Sequence, residues 1–77
     1  MLTIYGSPDC RLCKLTLDLV NKLGVSFVYL DVNKDEAIQD MFKARGFTTV
    51  PQIFDGTLHI GGYREFVKTV DVADIVS

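Results

Sequence analysis

Residues 2–13 read LTIYGSPDCRLC, a short run of strand-forming residues followed by a turn and a Cys-x-x-Cys pair. The β-branched and aromatic residues of Leu2–Tyr5 predict a strand, and Gly6-Ser7-Pro8 is a typical turn that ends it. A helix is predicted from about Cys10 to Leu23. The cysteine pair therefore lies where a strand is followed by a helix, in the first helical turn.

The predicted first helix is amphipathic. Its polar face carries Lys14, Asp18, Asn21 and Lys22, and its apolar face carries Leu12, Cys13, Thr16, Leu19, Val20 and Leu23. Leu15 and Leu17 lie at the two edges of the apolar face. Gly24 suits the left-handed position just after the helix, so the helix is expected to end there.

A second strand and a second helix follow. Val25–Asp31 is rich in β-branched and aromatic residues and predicts a strand. Asn33, followed by Glu36, predicts a helix cap with an acidic residue in the first turn. This helix continues through Ile38, Met41 and Phe42 and is expected to end at Gly46.

The last part of the chain predicts a hairpin and a third helix. The strands Gln52–Phe54 and Thr57–Ile60 flank Asp55-Gly56, a strong signal for a two-residue hairpin loop. The spacing of Tyr63, Phe66, Val67 and Val70 predicts a third amphipathic helix, and Val72–Val76 is expected to add one more turn. The order is thus β-α-β-α-β-β-α, with the first two strands parallel and the hairpin antiparallel in a mixed four-stranded sheet.

Length and charge limit the possible functions. A chain of 77 residues is expected to form a single domain over residues 1–77, and its net charge is −2 with dispersed lysines and arginines. No basic stripe suits a nucleic acid, and no apolar run approaches the ~20 residues of a membrane span. The first residues do not resemble an export signal, so we expect a reducing cytoplasm and neither a nucleic acid nor a membrane as partner.

The two cysteines are more suited to chemistry than to structural cross-linking. They are three positions apart, so a bridge between Cys10 and Cys13 constrains little of the unfolded chain. In a reducing compartment such a pair is typically catalytic or metal-binding. With the single His59 it offers at most three of the usual zinc ligands, so we favour redox chemistry and expect no metal.

The position of the pair suggests a role for each thiol. Cys10 lies where unpaired backbone N–H groups and the helix dipole stabilise a thiolate. Arg11 and Lys14 favour the thiolate, whereas Asp9 opposes it while capping the helix. Cys10 is therefore predicted to be the exposed nucleophile, and Cys13 the inward-facing thiol that resolves a mixed disulfide.

Three segments in this order resemble the glutaredoxin family over nearly the whole chain: Cys10-Arg11-Leu12-Cys13, Thr49-Val50-Pro51-Gln52-Ile53-Phe54 and His59-Ile60-Gly61-Gly62-Tyr63-Arg64-Glu65. The resemblance implies an α/β, thioredoxin-like fold with helices on both faces of the sheet and a cis peptide before Pro51. It also implies a monomeric dithiol oxidoreductase with Cys10 and Cys13 as catalytic residues.

The same resemblance implies glutathione as the reducing cosubstrate. Val50 would offer its backbone to glutathione in a strand-like pairing. Gly61 and Gly62 would let the γ-glutamyl carboxylate approach the start of the last helix, and Glu65 would pair with the γ-glutamyl ammonium. The implied glutathione-binding residues are Leu12, Thr49, Val50, Pro51, Gly62, Tyr63, Arg64 and Glu65.

The chain departs from the family pattern in two places. Many relatives carry Pro-Tyr where Arg11-Leu12 stands, and a basic residue within the stretch occupied by Ser7-Pro8-Asp9. Arg11 or Arg45 would then hold the glycine carboxylate of glutathione. Leu15 and Leu17 stand at positions where relatives often carry lysine. These leucines either pack at the edge of the core or, together with Leu12, form a docking patch for a partner protein.

These observations leave several functions open. We expect the protein to reduce disulfide-containing or glutathionylated proteins, with ribonucleotide reductase as one possible acceptor of electrons. A glutaredoxin-like redoxin reduced by thioredoxin reductase is the close alternative. A dimer that binds a [2Fe–2S] cluster through Cys10 and glutathione is another, although the bulky Arg11 disfavours it.

Overall fold

The predicted order of elements is confirmed. The computed structural model describes residues 1–70, and the predicted turn over Val72–Val76 lies outside them. The elements are β1 (Leu2–Gly6), α1 (Arg11–Leu23), β2 (Phe27–Asp31), α2 (Glu36–Arg45), β3 (Gln52–Asp55), β4 (Leu58–Gly61) and α3 (Tyr63–Thr69). Within this part of the chain, no helix is long and apolar enough to cross a membrane.

The four strands form one mixed sheet in the order β2-β1-β3-β4. β1 pairs in parallel with β2, as the α1 crossover requires, and antiparallel with β3. β3 and β4 form the antiparallel hairpin. The fold is therefore the predicted α/β architecture, and β1 and β3 lie at its centre.

Helices cover both faces of the sheet. On one face, α1 and α3 enclose a core cluster made of Ile4, Leu19, Val20, Ile53 and Phe66. Because side chains alternate along a strand, Tyr5 points to the opposite face, where its ring packs edge-on against Phe42 of α2. That second face is aromatic, and no residue of α2 itself is buried.

Three local predictions were wrong in detail. The cap of α2 is Asp35, not Asn33, because Val32–Lys34 forms a separate 3₁₀ turn. The hairpin loop is Gly56-Thr57, one residue later than predicted, because Asp55 pairs with Leu58. β2 begins at Phe27.

Leu12 was predicted on the buried face of α1 but is 40% exposed. It lies on the same stripe as Leu19, which is seven residues further on and buried. Leu12 belongs to the first turn of α1, so we infer that this turn extends past the residues that cover Leu19.

Candidate active site

The cysteine pair forms a disulfide at the start of α1. Cys10 is the N-cap of the helix, with an extended backbone, and Cys13 lies in the first turn. The backbone N–H of Cys13 donates to Sγ of Cys10 over 3.0 Å. The cap is therefore Cys10 itself and not Asp9, which is exposed to solvent. One of the unpaired donors at the helix start is directed at sulfur.

The two sulfur-bearing residues differ in burial. Cys13 is only 1% exposed and contributes to the buried face of α1, whereas Cys10 is half-buried. An incoming disulfide therefore has access to Cys10 before Cys13. This is the asymmetry that a nucleophile and a resolving thiol require.

The loop before β3 lies against the disulfide. The peptide bond between Val50 and Pro51 is cis, as the family resemblance implied. The carbonyl oxygen of Val50 is 3.7 Å from Sγ of Cys10. A disulfide sulfur carries no hydrogen, so this is a close contact rather than a hydrogen bond. It brings the Thr-Val-Pro segment and the cysteine pair to one place.

The Gly-Gly turn lies beside the same loop. A Cβ placed on Gly62, the N-cap of α3, would be 3.5 Å from the carbonyl oxygen of Pro51. Gly61 has a φ of +124°, and a Cβ there would be 2.9 Å from Cβ of Glu65. The Glu65 side chain thus extends back over both glycines, next to Pro51.

The other predicted site residues have more varied positions. Arg64 and Thr49 are exposed, and Leu12 stands exposed beside Cys13. Tyr63 is half-buried in a groove of about 250 Å³ between α1 and α3, which is lined by Leu15, Asp18, Leu19, Lys22, Tyr63 and Val67.

The two arginines considered for the glycine carboxylate are placed differently. Arg11 directly follows Cys10 and is exposed. The guanidinium of Arg45 lies over the Phe54 ring, 5.2 Å from its centroid. Arg11 is therefore the arginine adjacent to the disulfide in the chain.

The loop between β1 and Cys10 has an anchor that sequence reasoning missed. The hydroxyl of Tyr29 donates to the carbonyl oxygen of Ser7 over 3.3 Å. A Cβ on Gly6 would collide with that hydroxyl, so glycine leaves the space for it. Partial burial, and secondarily the charge of Asp31, raises the pKa of Tyr29, which keeps the hydroxyl protonated as a donor.

Two further polar residues were also missed. Gln52 is 7% exposed and hydrogen-bonds both to Thr49 and to His59. Sequence reasoning considered His59 as a zinc ligand and, like Gln52, as part of a family motif, but predicted no contact for either side chain. The available signal was a glutamine at the start of an otherwise apolar buried strand, because a buried amide requires polar partners.

Comparison with known proteins gives a consistent result. The family model for glutaredoxin matches residues 2–60. Glutaredoxin 3 of Escherichia coli is 42% identical over 60 residues, which cover 77% of this chain and 72% of that protein. The hybrid peroxiredoxin hyPrx5 of Haemophilus influenzae is 34% identical over 67 residues, but the match spans only 28% of its length.

Solved structures show the same similarity. The buckwheat glutaredoxin–glutathione complex superimposes with a TM-score of 0.79 at 25% identity, over 97% of this chain and 72% of that one. NrdH-redoxin of Escherichia coli, a glutaredoxin-like protein with a thioredoxin-like activity profile, gives a TM-score of 0.78 at 25% identity. That match covers 91% of this chain and 93% of NrdH-redoxin.

Proposed function

The chain belongs to the glutaredoxin family and is a thiol–disulfide oxidoreductase, and we propose that it uses Cys10 as nucleophile and glutathione as reducing cosubstrate. The observation that carries this proposal is the asymmetric disulfide at the N-cap of α1. Cys10 is accessible and receives a backbone N–H, while Cys13 is buried behind it.

The proposed reaction is a sequence of thiol–disulfide exchanges. The Cys10 thiolate attacks one sulfur of a substrate disulfide, and the other substrate sulfur leaves as a thiolate. Cys13, as thiolate, then attacks Sγ of Cys10, which releases the reduced substrate and leaves the Cys10–Cys13 disulfide. One glutathione opens this disulfide by bonding to Cys10, and a second removes the first as glutathione disulfide.

Backbone donors at the helix start support the first step. In the reduced protein, the Cys13 N–H that lies 3.0 Å from Sγ of Cys10 would donate to a thiolate on that sulfur. The positive end of the α1 dipole acts in the same direction. Stabilising the anion at Cys10 increases the fraction of this residue present as the attacking thiolate. It also makes Cys10 a better leaving group when the second glutathione attacks the glutathione bonded to it.

We place glutathione along the Thr49–Pro51 loop and the Gly61-Gly62 turn. Two features support this placement: the Val50 carbonyl lies at the disulfide, and Gly62 lies beside Pro51. The Val50 backbone would pair with the cysteinyl part of glutathione in the manner of an added strand. Glu65 would pair with the γ-glutamyl ammonium.

The remaining proposed contacts complete the glutathione site. Leu12 and Tyr63 would supply apolar walls, Arg64 would lie at the rim, and Arg11 would hold the glycine carboxylate.

The protein substrates of the enzyme would be disulfide-containing or glutathionylated proteins of the cytoplasm, including ribonucleotide reductase, and the enzyme would act as a monomer.

A coupled assay tests the proposed reductant. The protein is supplied with a glutathionylated peptide, glutathione, glutathione reductase and NADPH, and NADPH oxidation is followed. Turnover that depends on Cys10 is expected, and a Cys10→Ser variant is the control. No turnover by correctly folded wild-type protein would refute the proposal.

A redoxin reduced by thioredoxin reductase is the second candidate. It is favoured by the similarity to NrdH-redoxin, which extends over nearly the full length of both chains. Replacing glutathione and its reductase with thioredoxin reductase in the same assay separates the two functions. Turnover only with thioredoxin reductase would establish the alternative.

A further inference from the structure

A hydrogen-bonded chain connects β4 to the loop that faces the disulfide. Nε2 of His59 lies 2.7 Å from Oε1 of Gln52. The amide nitrogen of Gln52 donates to the Thr49 carbonyl over 3.1 Å and lies 3.4 Å from the Thr49 hydroxyl. Because Gln52 is only 7% exposed, water cannot easily replace these partners.

The chemistry of the partners sets the direction of these bonds. The Thr49 carbonyl can only accept, so the NH₂ group of Gln52 faces Thr49 and its oxygen faces His59. An amide oxygen also only accepts. Nε2 of His59 must therefore carry a hydrogen, whether the imidazole ring is neutral or protonated.

His59 also contacts the other end of the same loop. Its ring packs against both Phe47 and Phe54, with both centroid distances 4.8 Å and interplanar angles of 32° and 36°. Phe47 begins the segment that leads through Thr49 to Val50. This exposed histidine thus packs against Phe47 at the start of the segment and is linked through Gln52, by hydrogen bonds, to Thr49.

We propose that His59 is a positioning residue for glutathione, acting through Gln52 on the Thr49–Pro51 loop; the inference rests on the proposed function. Pairing with an extended peptide requires backbone donors and acceptors at fixed positions. The carbonyl of Val50, 3.7 Å from Sγ of Cys10, follows directly after the carbonyl that Gln52 holds. His59 therefore acts on binding of the glutathionyl group rather than on the sulfur chemistry.

Two substitutions separate the donor from the ring. His59→Phe keeps an aromatic ring against Phe47 and Phe54 but leaves the buried oxygen of Gln52 without a donor. His59→Gln loses the ring but keeps an N–H donor at a similar distance from the backbone. We expect His59→Phe to raise the KM for a glutathionylated peptide about three- to ten-fold, as for one hydrogen bond, with kcat within about two-fold. His59→Gln should stay within about two-fold of wild type in both constants.

Leu58→Ala is the matched control. Leu58 precedes His59 on β4, is 66% exposed and has no part in the hydrogen-bonded chain, so both constants should remain those of wild type. Thermal unfolding is measured for every variant. Because His59 is exposed, all of them are expected to fold.

The possible outcomes distinguish this role from the proposed function. No turnover by wild type would refute the proposed function and this role with it. Turnover by wild type with an unchanged KM in His59→Phe would refute the role alone. Equal impairment of His59→Phe and His59→Gln, or a fall in kcat at constant KM, would also overturn it, since neither follows from a lost donor.

Discussion

Replacing Gly61 by alanine tests the packing of the Gly61-Gly62 turn. Gly61 ends β4 with a φ of +124°, a conformation that side-chain-bearing residues rarely adopt. Its missing Cβ would lie 2.9 Å from Cβ and 3.0 Å from Cγ of Glu65. The Cβ of Glu65 is bonded to the backbone of α3, so rotation of the Glu65 side chain cannot relieve the contact. The first turn of α3 must shift.

Two costs add in Gly61→Ala. Holding a non-glycine residue in a sparsely populated backbone conformation costs about 1–3 kcal/mol. Overpacking against a backbone-anchored atom costs a further ~1–3 kcal/mol. A domain of this size has a total free energy of unfolding of roughly 4–12 kcal/mol. We therefore expect the variant to lose at least about 2 kcal/mol, a large part of the stability.

The adjacent Gly62 is the control. Its φ is −90°, and an added Cβ would find its nearest neighbours at 3.5 and 3.9 Å, which are ordinary contacts. Replacing the N-cap glycine by alanine removes some stability from the helix, but alanine also lowers the conformational entropy of the unfolded chain. We therefore expect the free energy of unfolding to change by less than about 0.5 kcal/mol. Two neighbouring glycines should thus respond very differently to the same substitution.

Urea unfolding followed by circular dichroism measures the difference. With a denaturant slope near 1 kcal/mol per molar, Gly61→Ala should lower the midpoint by about 2 M or more. Gly62→Ala should shift it by less than about 0.5 M. Equal midpoints for the two variants would show that neither the positive φ nor the contact with Glu65 constrains this turn.

Four further substitutions test other parts of the molecule. Cys13→Ser should keep turnover of a glutathionylated peptide but lose reduction of protein disulfides in the coupled assay, because the resolving thiol is gone; loss of both would contradict the assigned roles. Leu15→Lys and Leu17→Lys should each lower the free energy of unfolding by about 1 kcal/mol, because both leucines are half-buried. A higher KM for a protein substrate without that loss would instead establish a docking patch. The pKa of Tyr29 is raised in the folded protein, so with rising pH this tyrosine ionises first in the unfolded chain. The free energy of unfolding of the wild type should therefore fall from about pH 10 upwards more steeply than that of Tyr29→Phe. Urea midpoints measured over this pH range test the difference. Parallel pH profiles would contradict the raised pKa.

The elements were predictable where local signals agree. The apolar stripe of α1, together with Gly24, predicted where this helix lies and where it ends. Gly46 likewise predicted the end of α2, and both glycines have positive φ. The hydrophobic pattern of β1 and the position of the cysteines after it predicted the site of the disulfide. Each of these features depends on residues that are close in the chain.

The cap of α2 was not predictable, because several residues compete for it. Asp31, Asn33 and Asp35 all have side chains that suit an N-cap. Asp31 accepts from the N–H of Asn33 over 2.8 Å and forms the 3₁₀ turn, while Asp35 accepts from the N–H of Ala37 over 2.9 Å. The outcome depends on how both turns fit together between β2 and α2.

The contact between Gln52 and His59 was within reach of the sequence pattern, although in a different register. The pairing of β3 with β4 is irregular between Ile53 and Phe54, so that Ile53 faces Gly61 while Phe54 faces His59. A regular pairing counted from the predicted loop Asp55-Gly56 places His59 directly opposite Gln52, whereas in the structure His59 lies opposite Phe54. The sequence pattern therefore allows a contact between Gln52 and His59, and only the observed register and its irregularity required the structure.

The two faces of the sheet have separate effects on catalysis. Cys13 is fixed by the tightly packed face beneath α1 and α3, so substitutions at core positions such as Val20 should lower stability and disturb the resolving thiol together. The Thr49–Pro51 loop is held from the aromatic face, where α2 buries none of its residues. Since the side chains on that face contribute less to the core, they can change with less loss of stability. Side chains of the aromatic face can therefore adjust the position of the Thr49–Pro51 loop, while the placement of the buried thiol depends on the core.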